Sequence, residues 1–312
     1  MSPLKSIGAV LLLVLVYLVL FTTASQLLMP AELIAQAAAS GGDEAAAAGG
    51  LLVMACIDIA FMLGVVMSSR LRGVQLWLLT SALFWGAKTF TSQLEAWYFM
   101  PNVSASLVPA LLLMTVPVAV LVPLLTVVFF GRWQGQTESN AWHVPPMGAG
   151  QQAWKWLVLS ALVYPVLFFV AGYYVAFSNE EVRAFYGGVS EPTFVGHMRA
   201  VFRGDPLLYP FEVLRGALWV VMGVALLWTT RGSRWVGGVL VVLLFTLVQN
   251  GVHLIPNPLM SPTVRTFHFV ETVSSNAVFA VLISWLMSRA HFSGGSKTDH
   301  HGPATPRLSS AS

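Results

Sequence analysis

The sequence predicts an all-α integral membrane protein with eight transmembrane helices. Hydrophobic residues make up 56% of the 312 positions and charged residues only 9%, with a mean hydropathy of +0.74, whereas soluble domains carry about 25% charged residues. Eight apolar segments reach the roughly 20 residues that cross a hydrocarbon core. They lack the alternating pattern of an outer-membrane barrel, so we expect helices. The predicted spans are residues 7–28, 50–68, 74–99, 105–130, 154–177, 209–229, 235–255 and 265–288.

The distribution of basic residues predicts the topology. Cytoplasmic connections retain Lys and Arg. With the N-terminus inside, ten of the 16 basic residues fall on the inner side and four on the outer side. We therefore expect both termini to be cytoplasmic and the protein to lie in the cytoplasmic (inner) membrane. Lys5 and the apolar run after it resemble a signal peptide, but the run is too long for one and is similar to a later span.

Three pairs of segments indicate an internal duplication. Val16–Phe21 matches Val163–Phe168 at five of six positions, and Ser69–Gly73 is echoed by Thr230–Arg234. The third span leads through Gln93 to Pro101 and Asn102, as the seventh leads through Gln249 to Pro256 and Asn257. These matches predict a 4+4 parallel repeat related by an axis along the membrane normal. The predicted units are a first four-helix repeat (1–130), a cytoplasmic loop (131–153), a second four-helix repeat (154–289) with an outer amphipathic helix near 191–203, and a disordered cytoplasmic tail (290–312).

Twelve polar side chains interrupt the predicted spans, nearly all of them in the outer half of the membrane. Such residues are costly in lipid and normally face inward, in pairs or toward a functional site. Glu212 and Arg215 have the i, i+3 spacing of a helical pair, and Lys88 and Glu95, seven apart, share a face, so we expect each couple to form a structural ion pair that fixes helix packing. The twelve are Asp58, Lys88, Gln93, Glu95, Glu212, Arg215, Gln249, Asn250, His253, His268, Glu271 and Asn276.

The charges in this layer do not balance. Its four carboxylates face two fixed cations, so two carboxylates must be protonated, paired with imidazolium or bound to a cation. We predict that the twelve polar residues, with the exception of Asn250, form a pocket. This pocket would bind a small polar or cationic solute or a lipid headgroup, as in a transporter or a binding component. The inner halves of the spans are almost wholly apolar. This asymmetry suits a site that is reached only from the outer face, rather than a transport pathway through the whole membrane.

Other interpretations remain open. His253, His268 and Glu271 offer ligands for a divalent metal, although without a signature spacing. Haem ligation by the two histidines requires facing positions and is less favoured. The polar residues also suit a non-catalytic subunit that stabilises membrane partners, with each interhelical hydrogen bond contributing about 0.6–2 kcal/mol. The expected partners are the lipid bilayer and other membrane subunits; scattered basic residues exclude nucleic acid.

Hydrolysis is the enzymatic alternative, and the sequence leaves open whether the protein is an enzyme. The order of Glu212, Arg215, His253, His268 and Asn276 is similar to that in intramembrane glutamate proteases of the CAAX-processing type, which carry EExxxR, FxxxH and HxxxN motifs. All three motifs differ here, so no residue role is transferred. In the hydrolase interpretation, metal-dependent or glutamate-type, Glu212 activates water, and the histidines and Asn276 stabilise an oxyanion.

Overall fold

The protein is a bundle of membrane-spanning helices. A computed structural model describes residues 2–30, 35, 43–100, 103, 105–137, 147–188, 191–256 and 259–289. Within these ranges all regular secondary structure is helical, and six helices are long and apolar enough to cross a membrane. The chain is therefore a polytopic membrane protein. The predicted tail 290–312 and residues 138–146 of the predicted loop lie outside the described residues.

Thirteen α-helices are described. The first half contains α1 (Pro3–Leu28), α2 (Glu44–Ser68), α3 (Gly73–Trp85), α4 (Thr91–Phe99), α5 (Val108–Met114) and α6 (Val116–Phe129). The second half contains α7 (Ala149–Leu157), α8 (Tyr164–Tyr174), α9 (Glu180–Phe185), α10 (Phe194–Gly204), α11 (Leu208–Thr229), α12 (Arg234–Leu243) and α13 (Pro262–Met287). Three π-helical segments, Gly86–Phe90, Val158–Val163 and Leu244–Val248, continue α3, α7 and α12.

Six of the predicted spans coincide with the six long apolar helices, and the other two differ. Span 74–99 is helical but contains a π-helical turn. Span 235–255 was predicted as one helix, whereas its last residues form the 3-10 turn Gly251–Leu254. Gly251 packs so closely that a Cβ atom there would lie 3.0 Å from Met54 and 3.1 Å from the Lys88 ammonium. Pro256 follows this turn, and a proline disfavours the α-helical conformation of the residue before it, so the α-helix does not continue.

One half of the bundle has an apolar core. We call the end where Arg70, Arg132 and Arg231 lie the basic end, and the opposite end the cavity end. Toward the basic end the interior is mainly apolar and packs into one continuous cluster, with Thr80, Thr126 and Lys155 as buried polar residues among it. Fully buried members are Met62, Val66, Leu76, Val241 and Met287.

At the basic end, the two connections that resemble each other in sequence pair with each other. Ser69 and Thr230 form an antiparallel bridge. The Arg70 amide donates to the Thr229 carbonyl at 2.8 Å, and the Arg231 amide donates to the Ser68 carbonyl at 2.7 Å. The side chains repeat this exchange: Arg70 donates to Trp228 O at 3.0 Å and Arg231 to Met67 O at 3.1 Å. These four hydrogen bonds are thus reciprocal between the two connections.

A lysine holds the C-terminal end of the last helix. The Lys155 side chain is fully buried, and its ammonium donates hydrogen bonds to the carbonyls of Leu286, at 2.8 Å, and Arg289, at 2.5 Å. These carbonyls are at the negative end of the α13 dipole and have no partners within the helix. The lysine therefore joins the start of α7 to the end of α13.

Two short helices cover the cavity end. The predicted amphipathic helix near 191–203 is α10, which begins after Thr193, whose hydroxyl accepts a hydrogen bond from the Gly196 amide at 3.1 Å. Helix α9 was not predicted. Its signal is Asn179 followed by two glutamates, because the Asn179 side chain accepts hydrogen bonds from the first-turn amides. Burial lowers the pKa of His197 on α10, so this helix adds no imidazolium charge near neutral pH.

Adjacent glycines on α2 test the packing of the 3-10 turn. A Cβ atom on Gly50 would lie 2.2 Å from the Leu254 carbonyl oxygen, whereas one on Gly49 meets nothing within 4 Å. We expect Gly50→Ala to lower the free energy of unfolding by about 1–3 kcal/mol, as overpacking does. Gly49→Ala should be neutral or stabilise by up to about 1 kcal/mol through helix propensity. Thermal unfolding in detergent compares the two; equal midpoints would contradict the close approach.

Candidate functional site

The buried charges form two separate clusters. The first, which we call the Asp58 cluster, consists of Tyr17, Asp58 and Lys88. The second, the Arg215 cluster, is larger and consists of Glu95, Glu212, Arg215, His268 and Glu271. The single polar layer expected from the sequence is therefore divided into two parts with different charge balance.

The Asp58 cluster is a neutral ion pair with a hydroxyl donor. The Lys88 ammonium lies 2.8 Å from one oxygen of Asp58, and the Tyr17 hydroxyl donates to the same oxygen at 2.6 Å. Lys88 also donates to the Val248 carbonyl at 3.1 Å, at the end of a π-helical segment. Asp58 is fully buried. The cluster thereby connects α1, α2 and the third and seventh predicted spans with no net charge.

The expected pairing of Lys88 with Glu95 is wrong. Lys88 pairs with Asp58, whereas Glu95 pairs with Arg215. Lys88 lies inside the π-helical segment Gly86–Phe90, and Glu95 follows it on α4. A π-helical turn contains more residues than an α-helical turn and changes the direction of the side chains beyond it. The seven-residue spacing therefore no longer places the two on one face.

Arg215 lies between two glutamates. Its Nη1 atom is 2.9 Å from Glu212 Oε1 and 3.0 Å from Oε2, so the predicted i, i+3 pair is present. Its Nη2 atom is 2.5 Å from Glu95 Oε2. Both Arg215 and Glu212 are buried. Charged partners on both sides are what a guanidinium needs when it is removed from water.

Aromatic rings surround the same guanidinium. Four ring centroids lie 5.6–6.0 Å from Arg215 Cζ. At this distance a cation is attracted to the ring face, and the attraction increases when the site is desolvated. The rings belong to Phe99, Tyr164, Phe168 and Phe211. They fix Arg215 from α4, α8 and α11.

His268 lies between two carboxylates. Its Nε2 atom is 3.6 Å from Glu95 Oε1, and its Nδ1 atom is 3.3 Å from Glu271 Oε2. The Tyr186 hydroxyl is 3.4 Å from Nδ1, and the His253 ring packs edge-on against the His268 ring at 4.9 Å between centroids. The imidazole thus joins Glu271 to the Arg215 cluster through Glu95.

The amide side chains form a third group that joins the seventh and eighth predicted spans. Asn276 donates to the Phe245 carbonyl at 3.1 Å and lies 3.5 Å from Gln249 Oε1. Thr272 donates to Asn250 Oδ1 at 2.5 Å, and Asn250 donates to the Thr246 carbonyl at 2.8 Å. These contacts satisfy backbone and side-chain groups between helices, as expected for polar residues in a membrane interior.

A cavity of about 660 Å³ lies beside the Arg215 cluster. Six predicted site residues line it: Gln93, Glu95, Gln249, His253, His268 and Glu271. The rest of the wall is mainly apolar and aromatic, with Phe99, Phe168, Phe169 and Tyr173 from α4 and α8. Helix α10 contributes His197, Ala200 and Val201. The cavity therefore combines one acidic wall with apolar walls.

The other predicted residues lie behind the wall. Asp58, Lys88, Glu212, Arg215 and Asn276 are buried and do not line the cavity. Both oxygens of Glu212 lie within hydrogen-bond distance of one arginine nitrogen. A carboxylate held in this way and removed from the cavity is poorly placed to activate water for hydrolysis.

The residues proposed as metal ligands are not arranged as a metal site. Among the described residues, no group of three or more His, Cys, Asp or Glu side chains could hold a metal ion. The rings of His253 and His268 pack against each other edge to face, which also does not suit two axial ligands on opposite sides of a haem. The geometry favours neither metal nor haem.

Two tyrosines at these clusters were not predicted. Tyr17 donates to Asp58, and Tyr186 lies beside His268. Tyr17 belongs to the duplicated Val16–Phe21 segment, so its position in a matched motif is a signal that sequence analysis can use. Tyr186 follows the unpredicted helix α9, and no sequence pattern connects it to a histidine 82 residues away.

Comparisons with known proteins leave the family open. The chain matches no protein-family model, and no curated protein or solved structure is significantly similar to it. The functional argument therefore depends on the geometry of the chain itself.

A double-mutant cycle tests whether the Asp58 cluster is a coupled ion pair. Asp58→Asn or Lys88→Met leaves the other charge buried without its partner, and each should cost about 3–5 kcal/mol of stability. The double variant removes both charges and should cost clearly less than the sum of the two. Tyr17→Phe, which removes one hydrogen bond, should cost about 1 kcal/mol. Additive effects in detergent unfolding experiments would exclude the coupling.

Proposed function

We propose that this protein binds a small molecule with a cationic head and an apolar body in the cavity beside the Arg215 cluster. A small organic cation and a lipid with a cationic headgroup share this chemistry. The observation that carries the proposal is the position of Glu95 and Glu271, two buried carboxylates on the wall of an otherwise largely apolar cavity. The protein is then a binding component, and no catalytic step is required.

The charge balance of the site supports a cation as ligand. Glu95, Glu212 and Glu271 face Arg215 as the one fixed cation of their cluster, while Asp58 and Lys88 neutralise each other. The cluster therefore carries a surplus of negative charge, reduced by one when His268 is protonated. In a medium of low dielectric constant such a surplus attracts a cation strongly. An anionic ligand would add to the repulsion.

The cavity walls support an apolar body on that cation. A cavity of about 660 Å³ falls within the 300–1,000 Å³ of ordinary small-molecule sites. Its aromatic side chains can hold a cation over a ring face and cover apolar groups at the same time. A small inorganic ion would leave most of this volume unused.

The apolar core toward the basic end supports a site with access from one side. The site is at the cavity end, and the described interior toward the basic end is mainly apolar, with Thr80, Thr126 and Lys155 as buried polar residues. The basic connections predict that the basic end is cytoplasmic. On this basis we place the site in the outer half of the inner membrane, with eight spans and cytoplasmic termini. A binding component fits this arrangement better than a transporter, which needs a path on both sides.

Reciprocal contacts support the proposed 4+4 repeat. The two similar connections exchange equivalent hydrogen bonds at the basic end. The two tyrosines of the matched segments also behave alike: Tyr17 bonds to Asp58 on α2, and Tyr164 accepts a hydrogen bond at 3.2 Å from Trp219 on α11. The two halves would then have diverged in polarity, since the acidic wall draws most of its residues from the second half.

Binding of tetraphenylphosphonium, an apolar cation without an exchangeable proton, tests the proposal. We expect the purified full chain in lipid nanodiscs to bind it, and Glu271→Gln to weaken binding by about tenfold or more, because one counter-charge is lost in a low-dielectric site. Equilibrium dialysis with labelled probe measures both. The matched control is Glu180→Gln, an exposed glutamate at the same end that does not line the cavity.

Two results would contradict the proposal. One is wild-type protein that binds no more probe than empty nanodiscs. The other is an equal loss of affinity in Glu180→Gln and Glu271→Gln, which would indicate general surface attraction and no defined site.

A further inference from the structure

We propose that the cavity exchanges a proton on His268 for the bound cation, so that each cation that binds releases one proton. This inference rests on the proposed function and adds a specific coupling to it. It concerns the state of one imidazole at the cavity wall, and its test can fail while cation binding itself succeeds.

The positions of the two ring nitrogens carry the argument. Glu271 lies 3.3 Å from Nδ1 and Glu95 lies 3.6 Å from Nε2 of His268. The Glu271 oxygen can only accept a hydrogen bond, so it favours a proton on Nδ1. Glu95 is beyond hydrogen-bond range of Nε2, but its negative charge is close enough to stabilise a positive charge on the ring. A neutral imidazole has one N–H group and would turn a lone pair toward one carboxylate. This arrangement of the two carboxylates therefore favours the imidazolium.

The other groups around His268 agree with a single positive charge at this position. The titratable and charged groups that face it are Glu95 on α4, Arg215 on α11, Glu271 on α13, Tyr186 after α9 and His253 on the 3-10 turn. Arg215 is already held by two glutamates on the far side of Glu95. His253 is in ring contact with His268, so charging both rings would place two cations side by side. The His253 and His268 rings together are thus expected to carry one positive charge.

A cation in the cavity replaces that proton without changing the total charge. Glu95, His268 and Glu271 all line the cavity, so the head of a bound cation contacts the same carboxylates as the imidazolium. When the cation arrives, the two positive charges repel each other, and the proton leaves His268 for water. The bonds broken and formed are the imidazolium N–H and a water O–H, with no other reactant.

The pH dependence follows from this competition. Where His268 is protonated in the empty site, raising the pH removes the competing proton and strengthens cation binding, by about tenfold per pH unit for one proton. Above that range the affinity becomes independent of pH. Lowering the pH weakens binding.

The decisive experiment observes the histidine directly. The full chain is labelled with [15N]histidine, placed in lipid nanodiscs and examined by NMR with and without saturating tetraphenylphosphonium. The probe has no proton of its own, so a change in histidine charge originates in the protein. His268→Gln assigns the signal, and His253→Gln identifies the signal of the ring that contacts it. The control is Glu180→Gln, which does not line the cavity. A parallel titration in weakly buffered solution counts the protons released.

We expect the His268 signal to change from the charged to the neutral form on binding, with about one proton released per cation. Glu180→Gln should keep both effects. If His268→Gln does not accumulate, the wild-type spectrum still decides, because one charged histidine signal must disappear. Probe binding with unchanged histidine signals and no proton release would overturn the exchange and leave the binding proposal standing. Absence of probe binding in wild-type protein would overturn both.

Discussion

The burial of Arg215 is the constraint on which the cavity end of the molecule depends. A guanidinium removed from water needs opposite charges and hydrogen-bond acceptors around it, because the cost of desolvation is several kcal/mol or more. Glu212 supplies these from the same helix and Glu95 from the third predicted span, and aromatic rings close the remaining sides. Once this arrangement is fixed, α4, α8 and α11 have little freedom to move relative to one another.

The two ionic clusters use the same residue types with different results. In the Asp58 cluster one carboxylate meets one ammonium, and no surplus charge remains for a ligand. In the Arg215 cluster one guanidinium meets more carboxylates than it can neutralise, and the surplus lies on the cavity wall near His268. A neutral buried pair determines how helices pack, whereas a surplus buried charge creates a demand for a counter-ion.

The π-helical segments and the 3-10 turn determine which polar side chains come together at the site. The π-helical turn that contains Lys88 separates the direction of this residue from that of Glu95, so each joins a different cluster. At the end of the seventh predicted span, a π-helical segment and the 3-10 turn Gly251–Leu254 direct His253 against His268. Such departures from the α-helix are frequent at functional sites. Lys88 stabilises the π-helical segment Leu244–Val248 by donating a hydrogen bond to the Val248 carbonyl.

The sequence by itself determined the membrane class, six of the spans, the Glu212–Arg215 pair and the excess of buried carboxylates. Hydropathy, helical spacing and charge are properties of neighbouring residues, so they determine which segments enter the bilayer without reference to the tertiary structure. Only the tertiary structure decided that Lys88 belongs to Asp58 and Glu95 to Arg215, and that Tyr186 reaches His268. Those contacts join distant helices and depend on π-helical turns. A change in helical phase has no signature in residue type, so spacing alone assigned the wrong partner to Lys88.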